Sequence, residues 1–199
     1  MKKIILLAVA CFAGLGSFSQ SFMHGAGVVI FVDKAANTDA NIIGGLTYSP
    51  RFNFMEQENL SLSIGVPLSV GLSGSYNSRS DNGYYSEQNT LKFMFDAPLI
   101  LNLNFGCGSS KANESRFGFF VGGGFGYHYG TMNETLKDGS GYDYTIATTG
   151  STSGPVGNLG VRIGVGKNAR RNIEIKTSYM KGMNNNKPSI FSLGTLFNF

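Results

Sequence analysis

From residue 20 onward, large apolar side chains fall repeatedly on alternate positions. The clearest run is Leu60, Leu62, Ile64, Val66, Leu68, Val70 and Leu72, with Ser61, Ser63, Gly65, Pro67, Ser69, Gly71 and Ser73 between them. Such alternation gives an extended strand one apolar face and one small, polar face. Strands in soluble domains average about five or six residues, and this run is much longer. A strand crossing a bilayer at a tilt needs about nine to eleven residues, with its apolar face toward lipid. The length points to the membrane.

The pattern recurs. Ile42, Gly44, Leu46, Tyr48, Pro50, Phe52 and Phe54 form one face of a second stretch, and Leu91, Phe93, Phe95, Ala97, Leu99, Leu101, Leu103 and Phe105 one face of another. Phe117, Phe119, Val121, Phe125, Tyr127 and Tyr129 oppose Gly118, Gly122, Gly124, Gly126 and His128. Leu159 to Val165, Ile173 to Tyr179 and Phe191 to Phe199 supply three more strands, and residues 22–33 supply the first. The run Val28-Val29-Ile30-Phe31 leaves the facing of that first strand ambiguous. The total is about eight, an even number as single-chain bacterial barrels have. The predicted fold is therefore all-β: an eight-stranded antiparallel transmembrane β-barrel with up-and-down meander topology. Its links fall at roughly 34–39, 55–59, 74–90, 106–116, 130–154, 167–171 and 184–188, and the two longest are both odd-numbered. Long links on one side fit extracellular loops, and the others fit periplasmic turns.

The first 19 residues read differently. Lys2 and Lys3 form a positive start, Ile4 to Leu15 an apolar stretch, and Ser17-Phe18-Ser19 the small residues before a cleavage site, the three parts of a secretory signal peptide. The expected division is a cleaved signal peptide over 1–19 and a barrel domain over 20–199. The chain has 199 residues, 28 of them Gly, with 14% charged residues and no Trp. This composition suits sheet. The formal charge is +4, of which Lys2 and Lys3 contribute two, so there is no footprint for nucleic acid. Cleavage would remove Cys11 and leave Cys107, so no disulfide within the mature chain is expected.

An eight-stranded barrel is just wide enough for its own side chains to fill it. Arg51, Lys92, Asp96, Arg162, Glu174 and Lys176 fall on its lumenal face, and buried charges require partners. They read as a structural ion-pair network plugging the barrel, the alternative being a narrow ion path. Enzyme chemistry has little behind it: His24 and His128 are the two histidines, and neither has a serine or carboxylate at a telling spacing. His128 reads as a hydrogen-bonded wall residue and Cys107 as an incidental thiol in a turn. The Gly122-Gly123-Gly124 run reads as strand positions where backbone or bulky side chains approach closely. No cofactor or metal motif occurs.

The last strand carries a more specific signal. Ser192, Gly194, Phe197 and the final Phe199 have the spacing polar-x-Gly-x-x-aromatic-x-aromatic. In this the chain resembles the small outer-membrane β-barrel domains typified by OmpX and the transmembrane part of OmpA. The resemblance covers about residues 20–199, and departs in lacking Trp, which leaves the interfacial girdles to Tyr and Phe. It implies that the barrel assembly machinery reads this C-terminal signal, and that the protein is integral to the outer membrane of a Gram-negative bacterium. Outer-membrane lipid and lipopolysaccharide are the expected surroundings. The expected role is non-enzymatic, structural or adhesion-like, acting through extracellular loops on a partner the sequence does not name. A narrow porin-like channel is the first alternative and a lipid-modifying enzyme the second.

Overall fold

The computed structural model describes residues 21–34, 40–81, 84–137, 143–166, 171–184 and 187–199, with 75–81, 84–90, 132–137 and 143–147 described by their backbone alone. The segment read as a signal peptide lies outside the described residues. The strands are β1 (Ser21–Met23), β2 (Gly25–Lys34), β3 (Asn41–Tyr48), β4 (Arg51–Phe54), β5 (Leu60–Gly65) and β6 (Leu68–Asp81). They continue with β7 (Tyr84–Asp96), β8 (Leu99–Gly106), β9 (Phe117–Lys137), β10 (Asp143–Val165), β11 (Arg171–Lys181) and β12 (Ser189–Asn198).

These segments make eight spanning strands, because β1–β2, β3–β4, β5–β6 and β7–β8 each continue one another without a slip. The pair Met23↔Arg51 runs on as Ala26↔Tyr48, and Gly65↔Ile100 as Ser69↔Asp96. Three of the four breaks fall at Pro50, Pro67 and Pro98, which have no N–H to give to a ladder. All pairings are antiparallel, and β12 pairs with β2 from Ser189↔Lys34 to Asn198↔Gly25, closing the sheet. Closure leaves no unpaired edge in lipid.

The exterior is apolar: Ile30, Leu46, Val70, Leu101, Val121, Val161, Ile175 and Leu193 all face outward and are exposed. In the first strand Val28 and Ile30 point out, while Val29 and Phe31 point in. Those two join Ile43, Met94, Ile100, Val156, Met180 and Ile190 in a buried apolar cluster in the half of the lumen away from Ser21 and Phe199. The lumen is therefore not polar throughout, as alternation alone suggests.

Two of the expected long links are mostly strand. β6 and β7 pair from Ser69↔Asp96 out to Asp81↔Tyr84, through the segment 74–90 expected to be a loop. β9 and β10 likewise pair out to Lys137↔Asp143, through 130–154. Beyond the bilayer both faces of a ribbon meet water, so its polar sequence loses the period-two signal while its backbone still pairs. Both ribbons project from the end opposite Ser21 and Phe199, which is the extracellular end.

Candidate functional site

Near the periplasmic end of the lumen, three charged residues meet on one oxygen. Arg162 Nε donates to Glu174 Oε2 at 2.7 Å and Arg51 Nη1 donates to the same atom at 3.1 Å, as does Asn198 Nδ2 at 3.1 Å. Local register explains half of this: Arg162 on β10 and Glu174 on β11 are direct cross-strand partners, where opposite charges attract. Arg51 reaches the carboxylate from β4, on the opposite wall. Arg162 is 0% exposed, and a charge so buried persists only when paired and hydrogen-bonded. Its Nη1 also donates to Asn104 Oδ1 at 3.0 Å, and its guanidinium lies 4.3 Å over the Phe120 ring. Asn104 is fixed in turn by donating to Ser63 Oγ at 2.9 Å and Ser61 Oγ at 3.2 Å.

The other lumenal charges lie above this cluster. Asp96 and His128, directly paired across β7 and β9, meet at 3.2 Å between Oδ1 and Nδ1. Lys92 Nζ donates to Asn41 Oδ1 at 2.9 Å near the extracellular end, and Asn41 Nδ2 donates to Asp33 Oδ2 at 3.2 Å. Lys176 lies between the lower cluster and the Asp96 pair. With Asp96, Ser69, Asn158, Ser178 and Ser192 it lines a cavity of about 10 Å³, room for one water molecule. Above this cavity stands the apolar cluster. Among the described residues, Arg51 Nε, Arg162 Nη2, Asn53 Oδ1, Asn102 Oδ1, Asn158 Oδ1 and Asn172 Nδ2 are buried without a protein partner.

Several of these residues escaped the sequence reading. Phe120 points inward but sits beside outward Phe119, so the doublet hides its facing. Asp33 belongs to the strand whose facing was ambiguous. Asn41 and Asn104 are uncharged, and asparagine on a lumenal face carries no signal that separates a network member from a wall residue.

The link after β8 covers the periplasmic mouth. Gly106 and Gly108 adopt φ of +67° and +74°, a left-handed conformation that favours glycine. The resulting turn folds Cys107 and Ser109 into full burial. A side chain at Gly108 would meet Arg162 Cδ at 3.1 Å and Asn172 Nδ2 at 3.2 Å. The turn is held from outside, because Ser109 Oγ, Ser110 Oγ and Asn113 Nδ2 all donate to the Glu58 carbonyl at 2.8–3.2 Å. Burial pushes the Cys107 thiol pKa up, against the opposite pull of Arg162 and Arg51.

The C-terminal residues divide by face. Ser192 and Gly194 point into the lumen, and Ser192 Oγ lies 2.6 Å from Ser178 Oγ. Phe197 and Phe199 point outward. Phe199 makes the last rung of the closing seam: its N–H donates to the His24 carbonyl at 2.9 Å, and its ring stacks on His24 at 5.9 Å between centroids. His24 also stacks on Tyr48 and is hydrogen-bonded to its hydroxyl.

No family model matches this sequence, and no curated protein matches it. Solved structures do match the fold. Ail, the attachment invasion locus protein of Yersinia pestis, solved in complex with the heparin analogue sucrose octasulfate, is 11% identical with a TM-score of 0.53, over 90% of this chain and 98% of that one. Neisserial surface protein A is 12% identical with a TM-score of 0.52, over 90% and 97%. The chain thus shares the closed eight-stranded fold of small outer-membrane barrels. Its apolar exterior and closed backbone pairing make it an integral outer-membrane protein.

Proposed function

We propose that this barrel is a non-enzymatic surface-interaction protein that uses its two extracellular ribbons to pair with an extended segment of a partner. One observation carries the reading: the ribbons outrun their neighbours. β3 pairs with β6 as far as Gly44↔Leu72, yet β6 and β7 remain paired to Asp81↔Tyr84. β7 pairs with β9 as far as Met94↔Gly130 and β10 with β11 as far as Val156↔Met180, yet β9 and β10 remain paired to Lys137↔Asp143. Among the described residues, both ribbons therefore have open outer edges above the barrel, β6–β7 for roughly 25 Å. An open edge presents unpaired N–H and C=O groups, which an added strand satisfies. Both histidines are engaged in the wall: His128, 1% exposed, lies beside Phe31 and meets Asp96, and His24 is stacked at the seam and hydrogen-bonded to Tyr48.

The test compares cells displaying the full chain with cells displaying a variant whose residues 75–90 and 132–147 are replaced by tight turns. Attachment to protein-coated surfaces is expected to fall by about tenfold, the equivalent of losing a few ladder hydrogen bonds, with equal barrel in the outer membrane. Equal attachment overturns the reading. A narrow channel is the second reading, favoured by the buried polar atoms without protein partners. The apolar cluster across the lumen weighs against it, and measurable planar-bilayer conductance by the wild type would reverse that order.

A further inference from the structure

The extracellular rim of β11, β12 and β2 gathers positive charge on its outward face. Lys181 on β11 pairs with Ser189 on β12, which pairs with Lys34 on β2. Neighbouring strands lie about 4.8 Å apart, so two lysines flank one serine with their stems roughly 10 Å apart, within reach of a common ligand. Lys187, two residues before Ser189 along the chain, is the third, and all three lysines are exposed. Ser189 Oγ accepts from Lys181 Nζ at 2.9 Å and from the Tyr179 hydroxyl at 3.2 Å. Among residues whose side chains are described, no outward-facing carboxylate balances these charges at this end, since Asp33 points into the lumen. The periplasmic end differs, with exposed Lys111, Arg116 and Arg171 accompanied by Glu58 and Glu114.

A second feature lies one strand away. A groove of about 520 Å³ opens on the lipid-facing surface, lined by Gly44, Leu46, Val70, Leu72 and Phe93. Gly44 makes the notch, as nothing lies within 4 Å of where its side chain would be. It stands three residues below Asn41, the partner of Asp33, and so roughly 10 Å deeper in the apolar layer than the rim.

We propose that the Lys34–Lys181–Lys187 rim binds the phosphorylated headgroup of an outer-leaflet glycolipid, with one acyl chain lying in the Gly44 groove. Lysine stems run along apolar surface while their ammonium groups stay at headgroup level, and clustered lysines there attract anionic lipid. Phosphate oxygens accept from lysine ammonium groups through short, charge-assisted hydrogen bonds. Cation cluster and groove together select an amphiphile over a soluble anion, since only an amphiphile satisfies both.

The experiment uses the full chain in nanodiscs carrying bisphosphorylated or dephosphorylated lipid A, with retained lipid counted by native mass spectrometry. Three lysines at about one headgroup attraction each predict that wild type retains the bisphosphorylated form at least about tenfold more. Lys34→Gln/Lys181→Gln/Lys187→Gln removes that preference, while Lys111→Gln/Arg116→Gln/Arg171→Gln at the other end keeps it. Gly44→Leu lowers retention of both forms. Heat-modifiable migration on gels verifies that each variant is folded. A triple lysine variant that retains the wild-type preference overturns the headgroup site, and unchanged retention in Gly44→Leu overturns the acyl-chain groove. If sucrose octasulfate binds lipid-free barrel through the same lysines and strips bound lipid A, the rim serves a soluble polyanion and the lipid assignment fails.

Discussion

At the scale of single residues, the lumen depends on a few side chains that complete one another. Glu174 Oε2 accepts from Arg51, Arg162 and Asn198, and Phe120 supports the Arg162 guanidinium from its face. Phe120 itself fits over Gly160, whose added side chain would come within 2.6 Å of the Phe120 ring. Cys107 sits under this cluster, fully buried in the turn over the mouth. Its raised pKa keeps it a thiol at neutral pH, and the thiolate is the reactive form. Maleimide labelling of the folded barrel in detergent is therefore expected to be about a hundredfold slower than in denaturant, because reaction waits for the turn to open. Because burial raises this pKa, labelling should speed up with pH later than for an exposed thiol. Gly108→Val, which places a branched side chain against Arg162 and Asn172 at a left-handed position, is expected to restore fast labelling. Equal rates for folded and denatured wild type would mean that the turn stands open.

At the scale of elements, the two faces of a spanning strand separate cleanly in cost. Val66 faces lipid between β5 and β6, whereas Ser63 on β5 faces the lumen and accepts from Asn104 at 2.9 Å. Val66→Arg is expected to lose about 2–4 kcal/mol near mid-bilayer, and Ser63→Ala about 0.5–1.5 kcal/mol for one hydrogen bond. Refolding titrations in lipid measure both, and equal losses would mean that the faces are reversed. The faces were legible wherever polarity and period agreed, as in Leu60–Ser73. They were illegible in Val28–Phe31, where both faces are apolar because the strand meets lipid outside and the apolar cluster inside. The ribbons were illegible for the converse reason, since both of their faces are polar. The charged lumenal residues could be chosen by facing, but their grouping depends on which wall each strand occupies. Arg51 reaches Glu174 across the lumen from a distant part of the sequence, and no local pattern encodes that distance.

At the scale of the whole molecule, the barrel exists only when its first and last strands meet, and Phe199 ends that seam. Its backbone exchanges hydrogen bonds with His24 at 2.9 and 3.4 Å, and its ring stacks on His24 while facing lipid. Deleting it removes one rung from a ladder that otherwise runs from Ser189↔Lys34 to Asn198↔Gly25. One exposed aromatic buries only part of its surface, so the loss should stay below the roughly 1.5–3 kcal/mol of a fully buried side chain. The purified variant is therefore expected to refold in detergent. Insertion in cells should suffer far more if Ser192, Gly194, Phe197 and Phe199 act as the signal read by the assembly machinery, because recognition precedes closure of the seam. The expected result is a marked fall of the deletion variant in the outer membrane, with unfolded chain accumulating or being degraded in the periplasm. Phe199→Tyr, which keeps an aromatic at the terminus, should insert normally. Full insertion of the deletion variant in cells would leave Phe199 a seam residue without a signalling role, and failure to refold in detergent would make closure itself the step that needs it.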